Sequence, residues 1–299
     1  MSILVLGTTA LDTVTTPSGK REAMLGGSAV HFSMAARFFT QVNLVAIVGR
    51  DFPNKHIHFL LKKGINLTSL IVEEGRTFRW EGEYCGDLNT ALTKRTELGV
   101  LSVFKPRVAE SQRNIKNIFL ANVDPDIQQR LLSHMRTPQL VGLDSMNYWI
   151  DHKRKSLLKL LKKVDIFVAN DAEARSLSQE TNLIKAAKCL RKMGSSIVVV
   201  KKGEHGVLVY CDDFLFSLPA YPIERIADPT GAGDTFAGGF MGYLAKVQKV
   251  NAKTMKKAIC YGTIMASFNV EGFGVERSSR ITKKDIDARL AHFKKMISF

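Results

Sequence analysis

Between Ile226 and Leu244 the chain reads IADPTGAGDTFAGGFMGYL, a run whose residue types suit anion binding beside a carboxylate. After Pro229 and Thr230, the glycines of Gly231-Ala232-Gly233 let the backbone turn its N–H groups toward one point. The helix that begins there adds unsatisfied donors and the positive end of its dipole, and such a terminus binds anions. A glycine turn capped by Asp234 would account for one glycine and the aspartate only. A P-loop needs GxxxxGK[ST], which is absent, and a dinucleotide loop needs a third glycine where this chain has Phe236. An aspartate among donors aimed at a phosphate would repel it in simple binding. Asp234 makes chemical sense if it faces the hydroxyl that attacks the phosphate, with the helix dipole expected to keep it ionised. Phosphoryl transfer passes through a loose transition state, so a weak base suffices.

The elements that must position this turn follow from hydrophobic periodicity. Strand-length apolar runs at 3–7, 42–49, 117–123, 140–144, 164–170 and 196–203 alternate with helical patterns at Ser28–Phe39, Lys55–Lys63, Pro125–Met135, His152–Lys163, Asp171–Ser178 and Ile184–Met193. This predicts an open, mostly parallel α/β sheet with helices on both faces. Further helices are expected at roughly 233–245, 253–268 and 282–297. The segment 76–98 has extended, aromatic and β-branched character and reads as a small β flap over a site, and 206–220 reads as a hairpin. Asp12, Asn122, Asp124, Asp144, Asn147, Asn170, Glu173, Lys202 and Gly203 follow strand ends, where open α/β sheets bind ligands. Each can equally cap a helix, and for Asn170 the two readings weigh the same.

Composition narrows the function classes. The 299 residues are 45% hydrophobic and 24% charged, ordinary values for a globular chain with one main core. No apolar run reaches the roughly 20 residues that span a bilayer, and nothing reads as a signal peptide, so no membrane role and a cytoplasmic location are expected. The four cysteines are scattered, without zinc or disulfide spacing. The net charge of +15 is spread as short lysine pairs within amphipathic helices and comes without a recognition motif, so nucleic acid is not the expected partner.

Two signatures carry a resemblance. DPTGAGDTFAGGF is similar to the C-terminal signature of the ribokinase-like (PfkB-type) carbohydrate and nucleoside kinases, and GGSAVHFSMAARFF with VAIVGRDF is similar to the N-terminal one. The resemblance covers essentially the whole chain. It implies a single kinase domain over 1–299, with a lid formed by about 76–98 and part of 10–25. It also implies transfer of the γ-phosphate of ATP, with Mg²⁺, to a hydroxyl of a small molecule. Asp234 then resembles the catalytic base, and Gly231, Ala232 and Gly233 the anion hole. Asn170 and Glu173 match the NxxE pattern that orders magnesium, water and phosphates. Lys202, Gly203 and Gly206 fall where the family lines the nucleotide site, and Asn269 and Gly272 where adenine is enclosed. Asp228 and Thr230 resemble positions that hold a monovalent cation in some members, which would be K⁺. On the acceptor side Asp12 resembles the aspartate that takes sugar hydroxyls, and Gly26-Gly27 the hinge beside the substrate. Asp87 and Asn89 of the flap are expected to reach the ligand.

His31 departs from the family's usual asparagine, and Pro229 from its usual threonine. His31 is read equally as an acceptor contact and as a buried, satisfied histidine. Tyr148 and Trp149 are read as core in preference to a stacking wall. The expected acceptor is a sugar or polyol, with a nucleoside as the nearest alternative. A nucleotide-binding regulatory protein without turnover is the alternative from another class. A homodimer is an arrangement that an exposed flap edge permits.

Overall fold

The structure, a computed structural model, describes residues 1–86 and 88–298. The first half of the chain holds β1 (Ser2–Leu6), β2 (Ala10–Thr16), β3 (Gly19–Gly26), α1 (Ser28–Ala36), β4 (Gln41–Gly49), α2 (Asn54–Lys62), β5 (Ile65–Glu73), β6 (Arg79–Tyr84), β7 (Ala91–Glu97), β8 (Asn117–Leu120), α3 (Pro125–His134) and β9 (Leu140–Asp144). Next come α4 (Asn147–His152), α5 (Arg154–Leu161), β10 (Ile166–Asn170), α6 (Asp171–Ser178), α7 (Leu183–Met193), β11 (Ile197–Lys201), β12 (Val207–Cys211) and β13 (Phe214–Leu218). Helices α8 (Ala232–Val247), α9 (Ala252–Asn269), α10 (Glu276–Arg280) and α11 (Lys283–Ile297) complete the chain.

The main sheet has nine strands in the order β13-β12-β11-β10-β9-β8-β1-β4-β5. From β11 across to β5 every neighbouring pair is parallel, and β12 and β13 continue the edge as the expected hairpin. Its strands are apolar because both faces are covered. Ile3 and Val5 point into the layer of α1, α8, α9 and α11, while Leu4 and Leu6 point into the layer of α3, α5, α6 and α7. All four are fully buried. Strand order reverses at β1, which lies between β8 and β4, so a crevice opens beyond its carboxyl end.

A second sheet, β3-β2-β6-β7, stands outside the first and forms the flap. It is antiparallel except for β2 and β6, which run parallel. Within β6, Trp80, Gly82 and Tyr84 share one face by the two-residue period of a strand. Tyr84 meets Thr230 of the main body, which makes that face the inner one.

Three elements were not expected. The helix expected at His152–Lys163 is α5, and the unexpected α4 precedes it, divided from it at Lys153, whose φ of −128° and ψ of 26° leave the helical region. Strand β5 has no counterpart in the periodicity reading, because its buried Ser69 interrupts the apolar pattern. Ser69 donates to Gln112, which in turn donates to Asn43 on β4, so a buried polar chain replaces apolar packing there. The short helix α10 was also unexpected.

Helix α8 is brought close to α1 by its glycines. A Cβ on Gly238 would lie 2.2 Å from the carbonyl oxygen of Phe32. Interior glycine costs a helix roughly 1 kcal/mol relative to alanine, and the close approach of the two backbones requires it here. Gly238→Ala is therefore expected to destabilise the protein by about 1–3 kcal/mol through overpacking, read as a lower Tm. A raised Tm, the outcome of helix propensity alone, would contradict this packing.

Candidate active site

The amino end of α8 is built around two positions that exclude a side chain. Gly231 has φ +73°, and a Cβ there would lie 2.3 Å from the ring of His31, which stands directly behind it. A Cβ on Gly233 would come 2.8 Å from Lys201 Nζ. One glycine is thus backed by an imidazole and the other faced by an ammonium. No side chain caps the helix, which leaves its first-turn donors for a ligand. Ala232, expected in the anion hole, has its N–H engaged with Pro229 O at 3.2 Å.

The turn is fixed from below. Asp228, fully buried, accepts from the Thr230 N–H at 2.8 Å and the Gly274 N–H at 2.9 Å. Asn269 Nδ2 donates to Thr230 O at 2.7 Å, while its Oδ1 accepts from Thr235 Oγ1 at 3.0 Å and meets His31 Nδ1 at 3.1 Å. Because Oδ1 can only accept, the network assigns the proton of His31 to Nδ1. His31 Nε2 is then an acceptor, buried and without a hydrogen-bond partner among the described residues. Burial also lowers the pKa of His31, which keeps the ring neutral. Both readings of His31 thus hold in part, with one nitrogen satisfied inside the protein and one unspent. Asn269 was expected beside adenine. Its side chain is instead spent on the turn, and the residue is 1% exposed.

Carboxylates crowd the same point. Lys201 Nζ lies 3.0 Å from Asp144 Oδ2. Burial opposes the lysine's charge, but Asp144, Glu173 and Asp234 outweigh it and raise the pKa. Asp234 is pushed up to about 7, by burial first and by the Asp144 charge second, with Lys201 opposing. Burial thus acts against the ionised form that the helix dipole was expected to favour. Burial likewise pushes Glu173 up to about 7. Asn170 and Glu173 form a reciprocal capping box at α6, with both bonds at 2.7 Å. Capping therefore coexists with a position beside Lys201 and Asp144.

On the acceptor side, Asp12 is 6% exposed and accepts from the Gly27 N–H at 3.2 Å. Burial pushes its pKa up to about 7 as well. A Cβ on Gly26 would fall 1.9 Å from Asp12 Oδ2, and one on Gly27, at φ +96°, 2.5 Å from Thr8 O. The diglycine thus makes room for the Asp12 carboxylate and for the entry into α1. Thr9 Oγ1 and Ser145 Oγ, next to these groups in the chain, are buried without partners among the described residues.

Asp87 lies outside the described residues. Asn89 was expected at the acceptor, yet its Oδ1 sits 2.6 Å from where a Gly203 Cβ would be. The flap therefore reaches the turn between β11 and β12. Lys202 donates its N–H to Gly206 O at 2.7 Å, and Gly203 and Gly206 make that turn with φ +55° and +88°. Gly272 lies in the loop after α9, against Arg277. Tyr148 and Trp149 are not core: Tyr148 is 51% exposed and stacks on His152, and Trp149 Nε1 donates to Asn122.

Sequence reasoning missed Lys201 and Tyr84. Strand parity distinguishes Lys201 from Lys202 once β11 is placed, since Lys201 pairs with Asn170 at the sheet's carboxyl end. Tyr84 OH lies 3.4 Å from Thr230 Oγ1, and burial pushes its pKa up to about 12.

An open α/β sheet that brings a carboxylate and an ammonium to one glycine-bounded helix terminus has the parts that phosphoryl transfer uses. Residues 14–282 match the family described as pfkB family carbohydrate kinase. The cytidine kinase of Thermococcus kodakarensis is 30% identical over 247 residues, covering 81% of this chain and 87% of that protein. The crystal structure of Methanocaldococcus jannaschii nucleoside kinase superposes with a TM-score of 0.77 at 22% identity, over 97% of this chain and 98% of that one. A putative ribokinase II from E. coli, in complex with ATP and Mg²⁺, gives 0.80 at 17% identity, over 97% and 99%. The chain belongs to the pfkB carbohydrate kinase family, and so is a phosphotransferase with a hydroxyl acceptor.

A carboxyl whose folded pKa is above its unfolded value is a burden that appears as pH rises from about 4 to about 7. Asp234→Asn removes that burden. The variant should melt higher than the parent at pH 8, by at least about 2 °C, with the gap closing toward pH 4. A variant that melts lower at pH 8 would mean the folded carboxylate is stabilised there.

Proposed function

We propose that the protein transfers the γ-phosphoryl group of ATP to a hydroxyl of a nucleoside. The acceptor oxygen forms a bond to the γ-phosphorus as the bond to the β,γ-bridging oxygen breaks, and the acceptor proton passes to Asp234. The observation that carries this is the placing of Asp234 at the open end of α8 within the charge field of Lys201, whose ammonium is paired with Asp144. A base near neutrality needs no stronger character, because the proton leaves late in a loose transition state. Lys201 faces the phosphate that the N–H groups of Gly231 and Gly233 receive, and stabilises its charge. Asp12, Thr9 and His31 Nε2 receive the acceptor's hydroxyls, since buried polar groups rarely remain unmatched.

The donor set fits Mg·ATP. The carboxylate oxygens of Glu173 and Asp144 suit Mg²⁺ held through water and phosphate, and the space in front of Gly233 suits a phosphate. When bound, Mg²⁺ supplies charge neutralisation on the phosphate oxygens. Lys202, Gly203, Gly206 and Gly272 line the nucleotide's approach in this reading. Asp228 and Thr230 anchor the loop where K⁺ would act. The flap closes over the acceptor as a lid within one kinase domain, the protein works in the cytoplasm, and a homodimer would use the lid's free edges.

The nucleoside reading is supported by the relatives named for cytidine and nucleoside kinase activity. A sugar or polyol acceptor is the second reading, favoured by a carboxylate at Asp12 that suits neutral hydroxyls. ADP release from Mg·ATP across nucleosides, sugars and polyols decides between them, and no turnover on any of these acceptors would sink the kinase reading's choice of substrate. Three outcomes are expected. Asp234→Asn loses turnover. Lys201→Met lowers kcat about 100-fold or more with a smaller change in acceptor KM. The acid limb of free-enzyme kcat/KM falls near pH 7, following the raised Asp12, Glu173 and Asp234; a limb near pH 4 would contradict it.

A further inference from the structure

The inner face of the lid carries an aromatic surface that the catalytic groups do not use. Trp80 is the register partner of Asp12 in the parallel β2–β6 pairing, so the two residues stand side by side on the lid's inner face. Gly82 follows on that face, and Tyr84 beyond it reaches Thr230. A Cβ on Gly82 would lie 2.1 Å from Cη2 and 2.3 Å from Cζ2 of Trp80. The missing side chain is therefore what lets the six-membered ring of the indole lie along the strand. Glycine in a strand interior marks such a close approach. The ring's orientation is fixed a second time by Nε1, which donates to Thr93 Oγ1 on β7 at 3.2 Å. Trp80 remains half-buried, and among the described residues no other ring lies against it.

A flat ring locked by a neighbouring glycine and a hydrogen bond is costly to fix for packing alone at a partly exposed position. It suits a ligand with a planar ring. An acceptor whose diol is held at Asp12 and whose reacting hydroxyl faces Asp234 carries its remaining substituent away from Asp234, past the strand next to Asp12. We propose that Trp80 is the platform on which the acceptor's nucleobase stacks; this rests on the nucleoside reading above. Stacking uses the π face that every base has and therefore tolerates base identity. The chemistry predicted is broad acceptance of purine and pyrimidine nucleosides, with discrimination against acceptors that lack a base.

The test combines kinetics and fluorescence. The chain has two tryptophans, so a Trp149→Phe background leaves Trp80 as the only indole. Cytidine and adenosine should quench its emission saturably, with midpoints matching their KM in the same protein, and ribose should not. In the native background Trp80→Leu should raise KM for both nucleosides tenfold or more while KM for ATP stays within about twofold, and Trp80→Phe should recover most of the loss. The phenylalanine variant and the quenching assay also stand if the leucine variant does not fold. Nucleoside turnover with no quenching, or with KM unchanged in Trp80→Leu, would overturn the platform and leave the nucleoside reading in place. A native enzyme that turns over sugars and no nucleoside would overturn both.

Discussion

One ammonium inside a ring of carboxylates is the constraint that the site depends on. Lys201 is held 3.0 Å from Asp144 and feels Glu173 and Asp234, with burial acting against its charge. Two carboxyls of this group, Glu173 and Asp234, are pushed up to about 7. A buried cluster in which negative groups outnumber the positive one is poor structural material, since each unpaired charge must be neutralised or protonated. It is good material for receiving cationic partners on a polyanion. A magnesium–nucleotide complex brings positive charge to the carboxylates and negative charge to Lys201 and the helix end. In the proposed transfer Asp234 need not be a strong base: its raised pKa makes it a better proton acceptor once ionised, at the cost of being ionised in only part of the population near neutrality.

The glycines of the turn follow from that cluster. At Gly233 a side chain would have to displace the Lys201 ammonium, and at Gly231 the His31 ring fills the space behind it. The ring in turn is held by Asn269, whose amide also holds Thr230 O. The acceptor side and the anion side are therefore joined by one hydrogen-bonded chain from α1 through the end of α9 to the turn before α8. A histidine at this place keeps one nitrogen for the scaffold and leaves the other unspent, which a residue serving only the scaffold would not need to do.

What could be read from the sequence divides along physical lines. The turn at Gly231–Asp234 was legible because donors, conformational freedom and charge are all written locally. Asn170 was legible as a helix cap or ligand residue because it begins a helical pattern, and its pairing with Glu173 was legible through the resemblance to the NxxE pattern. Lys201 was not, because the adjacent lysines Lys201 and Lys202 differ only in where the strand ends, and that depends on pairing with β10. Asn269 was misread for a related reason: its position in the chain suggested the nucleotide, while its burial is set by how α9 packs beside the turn. Strand β5 stayed hidden because Ser69 and its partners on neighbouring elements satisfy each other across long sequence separations, which no local pattern records.

In the proposed reaction the lid's grip on the body couples acceptor binding to closure. Its contacts with the body combine hydrogen bonds, Thr16 Oγ1 to Ala227 O at 2.7 Å and Ser18 Oγ to Ile226 O at 3.1 Å, with the Arg79–Asp51 ion pair at 2.8 Å and with Leu11 and Leu25 packed into the main core. Hydrogen bonds of this kind contribute about 0.5–1.5 kcal/mol each, because water replaces them when they open. A ligand with better contacts in the closed state shifts the lid toward closure. An acceptor that meets both Asp12 and the inner face of β6 has that property, since both surfaces belong to the lid sheet while the reacting hydroxyl belongs to α8. Phosphoryl transfer to water is then disfavoured because a water molecule touches only one of the two sides. In that reading, binding energy that a larger acceptor gains on the lid is realised as closure around Asp234, where the proposed transfer takes place.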